Sequence, residues 1–151
     1  MRKLKTGVCY LDVNYNVNTN KRAVACNLTF GINLNRIPFN DMLLGSVRFK
    51  EFLDNNFYIE DWLLGDNNEE GTYAVANIVG LSYCHPEDEF DAELGKKIAL
   101  TRAQEGAFEQ AQVFWNKAEE VMLEAANRFS VISENCDDSR IKCIEHTNEL
   151  S

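Results

Sequence analysis

A chain of 151 residues, 45% hydrophobic and 26% charged, carries enough apolar material for one globular domain. No apolar run reaches the roughly 20 residues of a membrane span. A net charge of −9 excludes the basic face that tracking duplex nucleic acid requires, yet it leaves room for a small anion held by a few local cations.

Residues 7–17 alternate, with Cys9, Leu11, Val13, Tyr15 and Val17 on one side and Asp12, Asn14 and Asn16 on the other. This is the pattern of a half-buried strand. The Asn-rich run 16–21 reads as a turn, and 22–34 alternates again through Val24, Cys26, Leu28, Phe30, Ile32 and Leu34. Together they predict an antiparallel hairpin. Residues 35–71 form an irregular insert. Within it, 39–44 reads as a short helix or turn, 46–53 as a short strand or helical turn, and 57–64 is aromatic-rich. Residues 65–71 read as a solvated loop. Residues 72–84, rich in β-branched and aromatic side chains, predict another strong strand.

After Pro86 the hydrophobic period changes to that of a helix over 86–129. Pro86 suits a first helical turn, and Glu87, Asp88, Glu89 and Asp91 would then complement the positive end of its dipole. Phe90, Leu94, Ile98 and Thr101 make one stripe; the small residues Gly95, Ala99, Ala103 and Gly106 make a second. A helix of that length, with a stripe permitting close approach, predicts packing against another copy of the chain. Gly106 marks a bend or a break between two helices. The last segment, 130–151, reads as a polar tail with a loop at 133–139 and an edge strand at 140–144. The resulting fold class is α+β: an N-terminal antiparallel β-sheet over 1–84, followed by long C-terminal helices that mediate oligomerisation.

The five cysteines, Cys9, Cys26, Cys84, Cys136 and Cys143, are odd in number, and no apolar leader follows the basic N-terminus. Reduced thiols and a cytosolic chain are the expectation. Cys136, Cys143 and His146, with or without Cys84 and His85, offer zinc ligands, but the spacing C-x6-C-x2-H lacks a paired C-x2-C knuckle, so no metal is expected. Arg102 reads in two ways: as a planar fork for a phosphate, or as a surface arginine paired with Glu105 or Glu109. His85, held extended by Pro86, reads as a ligand contact or as a loop and capping residue. The carboxylates at 87–91 read as helix-start complements rather than as an acid–base pair. Tyr10, Tyr15, Tyr73, Tyr83, Phe49 and Trp62 offer flat faces for a base, or for the core. No catalytic triad order and no phosphate-binding glycine loop is visible.

The run Cys84-His85-Pro86-Glu87-Asp88-Glu89-Phe90-Asp91, followed by Gly95-Lys96-Lys97-Ile98-Ala99-Leu100-Thr101-Arg102-Ala103, resembles the first class of Thoeris anti-defence proteins. These are phage-encoded sponges that sequester cyclic ADP-ribose isomers made by TIR-domain immune sensors. They do not hydrolyse the signal, and they assemble through long helices. The resemblance covers about 25 residues and extends more loosely over the N-terminal hairpin. It implies a non-enzymatic protein without a cofactor, acting in the host cytoplasm as a homo-oligomer. It makes Arg102 a phosphate-binding arginine and His85 the pocket residue before the proline, where Asn is more usual. Arg22 is the nearest match to a basic residue contributed by the hairpin. Tyr83, Asp88, Phe90 and Lys97 complete the implied ligand site. Two alternatives stand beside this reading: a phage inhibitor that binds a host or defence protein directly, and an enzyme acting on a nucleotide.

Overall fold

The computed structural model of the protein describes residues 6–62 and 70–151. The loop expected at 65–71 therefore lies, up to residue 69, outside the described residues. Strands β1 (Val8–Asn18) and β2 (Ala23–Asn33) form the expected hairpin. Its turn is closed by the Arg22 amide on the Thr19 carbonyl at 3.2 Å and the Lys21 amide on Asn18 Oδ1 at 3.0 Å. A 3₁₀ turn at Leu34–Arg36 and two short helices, α1 (Asn40–Leu44) and α2 (Val47–Asn56), fill most of the insert. Ser46 caps α2 by accepting from the Phe49 amide, which decides the open choice at 46–53 in favour of helix. Strands β3 (Tyr58–Trp62) and β4 (Gly71–Tyr83) complete a four-stranded antiparallel sheet in the order β1-β2-β4-β3. The fold is thus α+β, an N-terminal antiparallel sheet followed by one long C-terminal helix, α3 (Ala92–Leu150).

Register explains the core. Val24, Cys26, Leu28, Phe30 and Ile32 of β2 stand opposite Ser82, Gly80, Ile78, Ala76 and Ala74 of β4, and this face receives α3. A bulge between Tyr10 and Asp12 in β1 splits the single stripe expected there. Val13, Tyr15 and Val17 stand beside Leu28, Cys26 and Val24 on the helix side. Leu11 instead meets Tyr73 over Gly31 on the other face.

The first half of α3 is set by small residues. Gly95, Ala99, Ala103, Ala107 and Ala111 are buried against the sheet. A Cβ at Gly80 would overlap the backbone of Ala99 and Ala103, and one at Gly106 would come within 2.8 Å of Ile78. The small stripe expected to face another subunit is consumed by this chain's own sheet. Farther along, Phe114 packs edge-on against Phe49 and Phe57, at 5.4 and 5.6 Å between ring centroids. Arg48 of α2 bonds Glu120 and Glu124, tying α2 to α3.

Three expectations for the helix need correction. It begins at Ala92, so Pro86, Glu87, Asp88 and Glu89 belong to the preceding loop rather than to a first helical turn. It does not break or end at Gly106. And 130–151 is neither loop nor strand but the continuation of α3. No Gly or Pro follows Gly106, so nothing in the sequence interrupts the i to i−4 hydrogen-bond ladder once it has started.

Candidate functional site

Where β4 hands over to α3, the loop 84–91 folds around one arginine. Arg22 sits at the end of the β1–β2 turn with φ of 53°, a left-handed conformation unusual for a side chain of its size. From there its guanidinium donates to the Pro86 carbonyl at 3.1 Å and to the Asp88 carbonyl, and it reaches Cys84 Sγ at 3.4 Å. Its own carbonyl accepts from the Cys84 amide at 2.9 Å. These contacts satisfy loop carbonyls that a helix beginning at Pro86 would have bonded internally. Asp91 then caps α3, its Oδ1 accepting from the amides of Glu93 and Leu94 at 3.0 and 3.1 Å. Asp91 and Glu93 are the acidic residues at the positive end of the helix.

Loop and helix enclose a cleft of about 310 Å³. Four residues singled out in the sequence line it: Tyr83, His85, Asp88 and Phe90. Tyr83 is 68% exposed, so its ring is available to a flat ligand. His85 Nδ1 accepts from the Glu87 amide at 3.2 Å, which leaves Nε2 as the edge free to meet a ligand. The helix wall is Leu94, Gly95 and Ile98.

The other three residues stand outside the lining. Arg22 spends its donors on the loop backbone, as an anchor beneath the cleft. Lys97 is exposed on α3, its carbonyl taken by the Thr101 hydroxyl. Arg102 continues the row Leu94, Ile98 by one further turn, and its Nη1 donates to the Leu81 carbonyl at 2.6 Å. It pairs with neither Glu105 nor Glu109. That single bond fixes the guanidinium at the β4 edge and leaves the rest of its donor fork exposed.

Two cleft residues escaped the sequence reading. Cys84 is a packing hub: its Sγ lies 3.7 Å from the carbonyls of Asp88 and Glu89. Ser82 is only 6% exposed and lines the cleft, and its hydroxyl has no hydrogen bond to any described residue. The signal for Ser82 was available, since strand alternation places 82 on the same buried face as Ile78 and Gly80.

The remaining polar candidates do not join this site. No cysteine is in a disulfide. Burial pushes the Cys26 thiol up from its usual value, as suits an inert core thiol. Cys136 and Cys143 lie two turns apart on α3, about 10 Å along its axis, too far to share one ion. Among the described residues no cluster of His, Cys, Asp or Glu could hold a metal, and no helix is long and apolar enough to cross a membrane. No protein-family model, curated protein or solved structure matches this chain.

Proposed function

We propose that the protein binds a small cyclic nucleotide of the cyclic ADP-ribose type and holds it without cleaving it, as a sponge for an immune signal. The observation that carries this reading is the placement of Arg102. It extends the cleft wall Leu94–Ile98 with a pinned, solvent-facing guanidinium, beside a buried Ser82 hydroxyl that has no hydrogen-bond partner among the described residues. Asp88, Glu89 and Asp91 make the cleft mouth acidic, so a phosphate is disfavoured there and favoured at Arg102, with Lys97 on the neighbouring turn. Carboxylates and a hydroxyl suit instead the donors of a ribose diol or an adenine amino group, with Tyr83 and Phe90 offering ring faces. The ligand would thus lie with its sugar and base in the cleft and its pyrophosphate toward Arg102.

Calorimetric titration with cyclic ADP-ribose isomers tests this. Arg102→Ala removes one partner of a charge-assisted phosphate contact, which typically costs about 2–5 kcal/mol. We expect affinity to fall by at least tens-fold with the fold unchanged. Arg102→Lys fails as well, because an ammonium lacks the planar fork. Intact ligand recovered after heating distinguishes a sponge from an enzyme; equal affinity of native protein and Arg102→Ala rejects the assigned role.

A second reading, direct binding to another protein, draws on the distal part of α3. From residue 126 onward every residue is exposed, including Phe129, Val131 and Ile132. A helix that projects apolar side chains without tertiary support is marginal alone. The same observation favours assembly of copies through α3, which is part of the sponge reading.

A further inference from the structure

We infer that α3 pairs with α3 of a second copy in antiparallel orientation, and that the C-terminal end of each helix seats in a groove on the other's body. This rests on the assembly part of the proposal above and not on the nucleotide. The distal helix carries a seam at alternating four- and three-residue steps: Ala125, Phe129, Ile132, Cys136, Ser139, Cys143, His146 and Leu150. That is the heptad spacing of a two-stranded coiled coil, sustained over roughly 39 Å. Phe129, Ile132 and Leu150 are 61, 58 and 74% exposed in the single chain.

The seam runs at its inner end into a groove of about 330 Å³ between the α1–α2 turn and α3. Met42, Val47, Met122 and Ala125 supply its apolar wall, and Arg128 stands at its rim. Arg128 makes no ion pair with any described residue.

Orientation follows from size and charge. An antiparallel pair centred between residues 137 and 138 sets Leu150 of the second copy over Ala125, at the groove. The next layers match Phe129 with His146, Ile132 with Cys143, and Cys136 with Ser139. Each small or polar position meets a different partner. A parallel pair would instead stack Ser139 on Ser139, His146 on His146 and Phe129 on Phe129. The flanking positions agree. In the antiparallel register Arg128 faces Glu149 of the second copy, twice by symmetry, and the other flanking pairs are Asn135 with Lys142, Ser133 with Arg140, and Ala126 with Thr147. No like charges meet. In a parallel pair the flanking partner of Arg128 is Ser133. Among the described residues of its own chain Glu149 has only a 3.9 Å approach to His146, so it is available to Arg128. The acidic, C-terminal end of one helix thus meets the cationic rim of the other's groove.

The full-length chain tests this by sedimentation equilibrium and mass-mapped crosslinking. We expect an associated species whose dissociation constant rises about tenfold in Arg128→Glu and in Glu149→Arg, and returns toward native in the double reversal. In a Cys136→Ser background, oxidation should leave Cys143 unlinked to its own copy, and adding Ile132→Cys should create a disulfide between positions 132 and 143 of different chains. A monomer at all concentrations overturns both this inference and the assembly reading. A Cys143–Cys143 crosslink, or charge reversals that do not rescue each other, overturns the antiparallel pairing while leaving assembly intact. These variants lie on exposed helix, so unchanged circular dichroism separates loss of pairing from loss of fold.

Discussion

The two halves of α3 belong to one uninterrupted helix and solve opposite packing problems. Up to Ala111 the helix meets the sheet through Gly95, Ala99, Ala103 and Ala107, and the backbones approach until Gly80 has no room for a side chain. Beyond Ala125 the seam residues are large or mixed in size, and no described residue covers them. Small residues on this helix therefore mark contact with the chain's own sheet, and the larger apolar residues at heptad spacing form the exposed face to which we assign a second copy. Small stripes by themselves do not identify a subunit interface.

The largest effect should come from breaking the proximal half. Gly80→Val forces a branched side chain into the backbone of Ala99 and Ala103, neither of which can move without lifting α3 from the sheet. We expect a loss of about 4 kcal/mol or more, enough to unfold a marginally stable domain. Ala99→Arg should do the same, unfolding the chain rather than merely dissociating copies. Phe129→Ala, in the distal half, should leave the melting of the sheet unchanged at concentrations where the chain is monomeric. Thermal melts followed by circular dichroism check all three; a Gly80→Val chain that melts like the native protein would refute the close approach.

A smaller effect should come from the loop that launches the proximal half. Arg22→Ala strands the Pro86 and Asp88 carbonyls, with a cost of about 2–3 kcal/mol for hydrogen bonds to a charged group. Hydrogen exchange should show lost protection over 84–91, while the β2–β4 ladder keeps its own. Ligand binding should weaken as well, because His85, Asp88 and Phe90 are positioned by that loop. If Arg22→Ala abolished binding with the loop's protection intact, Arg22 would be a ligand contact rather than an anchor.

The sheet is legible because β2 alternates without interruption, the β1–β2 turn is rich in Asn, and β4 is rich in β-branched and aromatic side chains. The bulge at Leu11 is not, because Leu11, Val13, Tyr15 and Val17 alternate with Asp12, Asn14 and Asn16 as if no residue were inserted. The helix start was misplaced by six residues. Pro86 and the carboxylates satisfy the local rules for a first turn, but Arg22, 64 residues earlier, competes for the same carbonyl groups. The distal helix is hidden in the sequence because 130–151 is polar; its signal is the absence of any Gly or Pro after Gly106. At the site, Tyr83, His85, Asp88 and Phe90 were found from one contiguous run. Ser82 is legible from strand alternation, whereas the tethering of Arg102 to Leu81 depends on how α3 crosses the strand, which no local pattern encodes.

The smallest effect should appear where the two halves of α3 meet. There Arg48 of α2 bonds Glu124 and Glu120, and these carboxylates push its guanidinium above its ordinary value. Arg48, and then Lys117, hold the Glu120 carboxyl below its ordinary 4.5. A carboxylate depressed in the folded state adds stability above its unfolded pKa and loses it as pH falls through the folded value. The contribution is therefore full at neutral pH and disappears in acid. It is small and salt-sensitive, because both partners are about half exposed. Arg48→Met should lower the melting temperature slightly at neutral pH, and its melting curve should converge on that of the native chain below about pH 4. High salt should narrow the neutral-pH gap in the same way. A gap that persisted unchanged in acid would mean that Arg48 holds α2 to α3 through its aliphatic stem rather than through its charge.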